Sequence, residues 1–336
     1  MIRCLLIVAL LPVLVVADHS HVDALKRQSP TFIAQQGDFI AQQGDFIAQQ
    51  GDFIAQQSDF IAQQSDFIAQ HGDFIAQRGG AQGGSRGGFG GRRGRAIPDR
   101  SEFPMWEIDS RLPKDVFTFA RARYSSNGTH GGWANDFPDC DWNFSARLHE
   151  LTALKVDPDG VILDLVDPKL LDYPFLYMSN VGGMSLNKSE ADALGNYLLR
   201  GGFLMADDFW APAGWENVKR EMQRVLPGRK PRELDAGHRI FNLVYHLKGK
   251  PQVPSIRAWQ RGHTFEYWHG DPEGDEGPHF WGYFDDSDRL MALMCHNNDI
   301  GDGWEREGDN EEYFQEYSVR VSYPLGINIV TYALTH

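Results

Sequence analysis

Cysteine is scarce, with three residues in a chain of 336, which excludes a disulfide-stapled scaffold. Basic residues are also in deficit, 32 Lys and Arg against 46 Asp and Glu for a net charge of −14. Before Ala96 eight basic residues balance eight Asp, so the whole excess falls on residues 96–336. Such a region is ill suited to neutralising phosphates, and no nucleic-acid partner is expected for it. Residues 96–336 contain no Gly-x-Ser-x-Gly, Gly-x-Cys-x-Gly or Walker loop, nor any His-x₃-His or His-x-Glu-x-His spacing among His238, His246, His263, His269, His279 and His296. Acyl transfer from a nucleophile elbow, P-loop nucleotide hydrolysis and a helix-borne zinc site therefore lack their usual residues.

Long apolar runs are equally rare. The one at the start, Cys4–Val16, follows a positive Met1-Ile2-Arg3 and closes on the small residues Val15-Val16-Ala17. It is shorter than the roughly 20 residues that span a bilayer, and it has the layout of a signal peptide, residues 1–17. The mature chain is expected outside the cytoplasm, periplasmic or extracellular, with no stable membrane span. Cleavage would leave Cys140 and Cys295, whose pairing no spacing decides.

Residues 18–95 divide into segments of distinct composition. After a short stretch, 18–31, the unit Phe-Ile-Ala-Gln-Gln-Gly/Ser-Asp repeats from Phe32, Phe39, Phe46, Phe53, Phe60 and Phe67. Adjacent apolar residues do not make a coiled-coil seam, and Gly37, Gly44 and Gly51 each cost a helix roughly 1 kcal/mol. An odd period also throws successive Phe residues onto opposite faces of a strand. Residues 32–78 read as a disordered or partly helical arm, with self-association through it as the alternative. Residues 79–95 form a Gly/Arg-rich flexible linker.

All nine Trp lie beyond residue 95, and residues 96–336 have the mixture a core needs. Strands are expected over Val116–Tyr124, Val161–Val166, Tyr173–Ser179 and Phe203–Ala206, short and apolar between Pro, Asp or Gly. Helices are expected over Ser145–Leu154, Ser189–Arg200 and Trp215–Leu226, the second capped by Asn187 or Ser185 and ended by Gly201. Pro251–Asn310 reads as rim loops and short strands, followed by a closing helix from about Glu311 that Pro324 interrupts. Alternating strands and helices imply an α/β, doubly wound, mostly parallel sheet, with a ligand crevice at the carboxyl ends of its strands.

Candidate chemistry gathers there. Asp207 and Asp208 at a strand end can hold a divalent cation, divide into acid and base, or merely cap a helix and meet an Arg. The loop Gly131–Trp142 offers Trp133 for stacking and Asp136 and Asp141 as acceptors, with a helix cap as the plainer role for Asp141. Cys140, between Asp139 and Asp141, is a poor nucleophile. Asn297–Glu305 supplies Asp299, Asp302 and Glu305 as metal candidates, although Gly301 and Gly308 stand where a calcium loop needs oxygens. His238 is a catalytic candidate with Asp207 and Asp208, and Trp210 and Trp304 are candidate ligand-binding aromatics.

Gly132-Trp133, Asp136-Phe137-Pro138, Asp172–Tyr177, Gly201-Gly202-Phe203 with Asp207-Asp208, His238–Phe241 and Gly326–His336 together resemble a bacterial family, the domain of unknown function number 4159. The resemblance runs from about Val116 to His336. It implies a flavodoxin-like sheet similar to class I glutamine amidotransferases and trehalose-utilisation domains. No position matches the amidotransferase cysteine, so it transfers no catalytic residue. Two functions remain open: a ligand-binding or scaffold domain of the cell envelope with a small-molecule or protein partner, or a carboxylate- or metal-dependent hydrolase, with carbohydrate as one substrate class.

Overall fold

The computed structural model describes residues 99–109, 111, 115–127 and 132–336. The signal peptide, the repeats and the Gly/Arg linker lie outside the described residues. Seven strands form one sheet: β1 Ala120–Arg123, β2 Val161–Asp164, β3 Phe175–Met178, β4 Phe203–Phe209, β5 Arg232–Glu233, β6 His279–Phe284 and β7 Leu290–His296. Their order is β2-β1-β3-β4-β7-β6-β5. The first five in that order are parallel, and β6 and β5 extend the edge antiparallel.

The expected mostly parallel α/β sheet is therefore observed, and the residues explain it. β3, β4 and β7 are buried along their whole lengths, as strands covered on both faces must be. Alternation sorts their side chains into two layers. Leu176, Met178, Leu204 and Ala206 face a core shared with Leu194, Leu198, Val218 and Met222. Those last four come from helices α2, Lys188–Leu199, and α3, Ala211–Val225. Phe119, Phe175 and Tyr177 instead build an aromatic layer with Phe144 and Trp304. Phe144 belongs to α1, Asp139–Leu151, and Trp304, beyond the short α4, Ile256–Trp259, to α5, Ile300–Glu305.

Several boundaries differ from expectation for identifiable reasons. The first strand is shorter, because Phe117 makes only an isolated parallel bridge to Val156. The helix expected from Ser145 begins at Asp139, because Asp139 and Asp141 occupy its first turn, where the amide dipoles favour acids. Asn187 caps α2 in a full capping box with Glu190, an arrangement that satisfies two otherwise orphaned amides. The stretch expected to be rim contributes β6 and the central β7. Pro324 does not break the closing helix. Glu311–Tyr313, α6, passes through a π-helical Phe314–Ser322 into α7, Tyr323–Thr335. That wider turn, in which Tyr323 N–H reaches Ser318 O, makes room for a ring that would clash in a regular helix. Cys140 and Cys295 are both buried and unpaired.

Candidate functional site

β1, β3, β4 and β7 end on the same side of the sheet, and each hands a polar segment to that edge. After β1 comes Asp136; after β3, Ser179 and Asn180; β4 itself ends in Asp207 and Asp208; after β7 come Asn297, Asp299 and Asp302. Asp136, Asn180, Asp208 and Asn297 all adopt left-handed backbone, with φ of 61°, 57°, 52° and 55°, a conformation that Asp and Asn tolerate better than other side-chain-bearing residues. A further loop adds Glu266 and His269, which start and end the 3₁₀ turn Tyr267–His269. Residues three apart eclipse one another in such a turn, so both side chains fall on one side.

Three groups of ligand atoms lie within 4.8 Å of one another: Asp136, Asp208 and Asp299; Asp208, Glu266 and His269; and Asp136, Asp302 and Glu305. Asp208 is braced by Asn135 Nδ2 at 2.8 Å and Asn180 Nδ2 at 3.0 Å, both donating to Oδ2, and by Trp210 Nε1 donating to Oδ1 at 3.1 Å. Asp207 Oδ2 accepts from Gly301 N–H at 2.8 Å and from the Tyr177 hydroxyl at 3.3 Å. Its Oδ1, fully buried, has no hydrogen-bond partner among the described residues. Gly301 is the pivot of this corner, since a Cβ there would stand 2.4 Å from Tyr177 Oη and 3.1 Å from Asp136 Oδ2. Asp299 Oδ1 caps α5 through Asp302 N–H at 2.9 Å.

The charges are poorly compensated. Asp136, Asp207, Asp208, Glu266, Asp299, Asp302 and Glu305 are all buried. Arg306 answers two of them, at 3.1 Å from Asp302 and 2.7 Å from Glu305. Burial, and then repulsion from Glu305, Asp208 and Asp302, lifts the Asp136 carboxyl well above its ordinary range. Burial, followed by Asp208 and Asp136, does the same for Asp299. Asp207 is raised chiefly by burial, against the Gly301 amide. Asp208 is pushed up to about 6, first by burial and then by Glu266, and Asp302 to about 7, by burial against the pull of Arg306. Ionised carboxylates this close and this dry need protons or a cation between them.

Arg121, fully buried in β1, holds the Asp136 loop. Its Nε donates to both oxygens of Asp141, at 3.0 and 2.9 Å, and its Nη1 to the carbonyls of Trp133 and Asn135, at 3.0 and 2.9 Å. Asp141 is thus engaged as the ion-pair partner of Arg121, and the position before the helix, Pro138, makes no side-chain cap. Asp208 and Asp207 meet amides, an indole and a hydroxyl, not an Arg. Trp133 is half-buried, with Arg123 5.9 Å from its ring. Trp210 and Trp304 are buried and offer no open face; Trp304 packs 4.4 Å from Phe144 in the aromatic layer. His238 caps a different turn, accepting from Ile240 N–H at 3.3 Å, and its charged neighbours are Asp235, Asp288, Arg232 and Arg239 rather than the carboxylate group. Burial raises the Cys140 thiol, which leaves it a poor nucleophile.

Sequence reasoning missed Glu266 as a candidate and passed over His269 among scattered histidines. Their one linear signal is the Glu-x-x-His spacing, which places two ligands together on a turn. Arg121, Asn135 and Asn180 had none. A family model described as domain of unknown function (DUF4159) matches residues 118–334. No curated protein matches the chain.

Proposed function

The chain belongs to the DUF4159 family, and within it we propose that the domain is an exported, divalent-cation-dependent hydrolase. The observation that carries this reading is the convergence of Asp136, Asp208 and Asp299 from the ends of β1, β4 and β7. Carboxylate oxygens suit Mg²⁺, Mn²⁺ or Ca²⁺, and the unpartnered Asp207 Oδ1 beside them adds to the unbalanced charge. The parallel strands run 2-1-3-4-7, which supports the flavodoxin-like reading, in which a ligand lies at the strand ends. Export rests on the composition of residues 1–17; among the described residues no helix is long and apolar enough to cross a membrane.

At this edge Ser179 Oγ donates to Asp136 Oδ2 at 3.2 Å and Cys140 is a poor nucleophile; a divalent cation held by Asp136, Asp208 and Asp299 would supply the nucleophile by acidifying a bound water. Asp302, near 7, is matched at neutral pH to take the proton that such a water would give up. The same carboxylate would return that proton to the leaving group as its bond to carbon or phosphorus breaks, which balances the addition of water. Tyr267 and Trp268, 45% and 42% exposed beside His269, offer planar faces of the kind on which a sugar ring stacks.

A second reading, a cation-dependent ligand-binding or scaffold domain without turnover, is favoured by the extent to which Asp207 and Asp208 are braced by neutral donors. Calorimetric titration of the full chain with Mg²⁺, Mn²⁺ and Ca²⁺ after chelator treatment tests both. Binding that falls at least tenfold in Asp208→Asn supports a cation site, and cation-dependent cleavage of aryl phosphates, esters or glycosides selects the hydrolase. Binding without cleavage selects the second reading. No binding of any cation overturns both.

A further inference from the structure

Asp208 belongs to two of the three ligand groups, and its hydrogen bonds limit what it can do in them. A carboxylate offers about four acceptor positions; the Asn135 amide, the Asn180 amide and the Trp210 indole take three. One lone pair on Oδ1 is left, enough for one cation and too little to bridge two.

The two groups differ in chemistry. Asp136, Asp208 and Asp299 present oxygen alone. The other adds an imidazole, and it is preorganised: Glu266 Oε1 accepts from Ser255 N–H at 3.2 Å, and Glu266 Oε2 stands 3.1 Å from His269 Nε2. That separation matches the edge between adjacent ligands each about 2.1 Å from one ion, roughly 3 Å. Imidazole suits Zn²⁺, Co²⁺ and Mn²⁺, whereas Ca²⁺ and Mg²⁺ take oxygen. The remaining group is already served by a cation of the chain, because Arg306 pairs with both Asp302 and Glu305.

We propose that the domain has two overlapping cation positions that exclude each other: a hard-ion position of Asp136, Asp208 and Asp299, and a borderline-ion position of Asp208, Glu266 and His269. The free lone pair of the braced Asp208 serves one position or the other, so the identity of the bound ion selects which ligand set, that with Asp136 and Asp299 or that with Glu266 and His269, is engaged. This rests on the cation-site reading and adds to it a second position, its ligand set and the competition.

The full chain is titrated with Co²⁺, followed by its visible absorption, and with Ca²⁺, followed by calorimetry. Either ion binds with a stoichiometry of about one, and Ca²⁺ displaces Co²⁺ competitively, bleaching the absorption. His269→Ala weakens Co²⁺ at least tenfold and leaves Ca²⁺ within about twofold; Asp299→Asn does the reverse; Asp208→Asn weakens both. His269→Gln, which keeps the side-chain bulk, serves as the control for folding, monitored by circular dichroism. Simultaneous binding of both ions, or equal weakening of both by His269→Ala and by Asp299→Asn, overturns the two-position proposal while leaving a cation site in place. Binding of only one of the two ions likewise overturns the two-position proposal, and failure of both to bind removes the cation-site reading itself.

Discussion

Removing the guanidinium of Arg121 tests how the carboxylate edge is held together. Arg121 has no exposed surface and Asp141 is 2% exposed. Burial works against the Arg121 charge and Asp141 more than offsets it, so the Arg121 pKa lies above its ordinary value. In Arg121→Met, Asp141 becomes an uncompensated buried anion, which costs about 3–5 kcal/mol. The carbonyls of Trp133 and Asn135 lose their donor as well, at about 1 kcal/mol each. The sum, about 5–7 kcal/mol, consumes much of the 5–15 kcal/mol that stabilises an ordinary domain. Pairing it with Asp141→Leu removes the orphaned anion and returns most of the first contribution, because a buried ion pair replaced by apolar groups of similar volume is often neutral. Urea unfolding of the full chain at pH 7, followed by tryptophan fluorescence, reads these differences. The double variant should keep weakened cation binding even where its stability recovers, since the freed carbonyls no longer fix Asp136. A single variant within about 1 kcal/mol of the parent, or a double variant destabilised by the sum of the singles, would refute the reasoning.

Three further outcomes are expected. Asp208 has a folded pKa of about 6, above its ordinary 3.8, so the cation-free fold binds the extra proton below pH 6 and loses that stabilisation as pH rises from about 4 to about 6. The stability of Asp208→Asn relative to the cation-free parent should therefore shift in the variant's favour by up to about 3 kcal/mol between pH 4 and pH 8, on top of a pH-independent cost because an amide cannot accept from all three donors. The difference between the two variants is the readout, because His296, lowered to about 4 mainly by burial, pulls the parent curve the other way between pH 6.5 and 4; a flat difference would contradict the buried-anion account. Gly301→Ala places a methyl 2.4 Å from Tyr177 Oη and should cost about 1–3 kcal/mol together with cation affinity, whereas an unchanged melting temperature would mean that this corner is loose. Cys140 and Cys295 should react with a thiol reagent only after unfolding, both in the chain without reductant; rapid labelling of the folded chain would be inconsistent with their burial.

How much could be read in the one-dimensional chain depends on the range of each interaction. The α/β class was legible because β3 and the first four residues of β4 are short apolar runs and α2 carries its Asn187 and Glu190 cap within four residues, signals that local chemistry writes into adjacent positions. The candidates Asp136, Asp208, Asp299, Asp302 and Glu305 were legible for the same reason, as polar residues at the ends of apolar segments. Their grouping was not. Asp136 and Asp302 are far apart in the chain, and only the parallel pairing of β1, β3, β4 and β7 brings their loops to one edge. Tertiary structure alone buried Trp304 against Phe144, gave Asp141 to Arg121, removed His238 to another turn and brought in Glu266 and His269. Sequence by itself determined which segments must leave water and which polar residues would stand at their ends; only the packed sheet decided which of those charges face each other in a space too dry to hold them separately, because electrostatic neighbours are set by distance through the fold rather than along the chain.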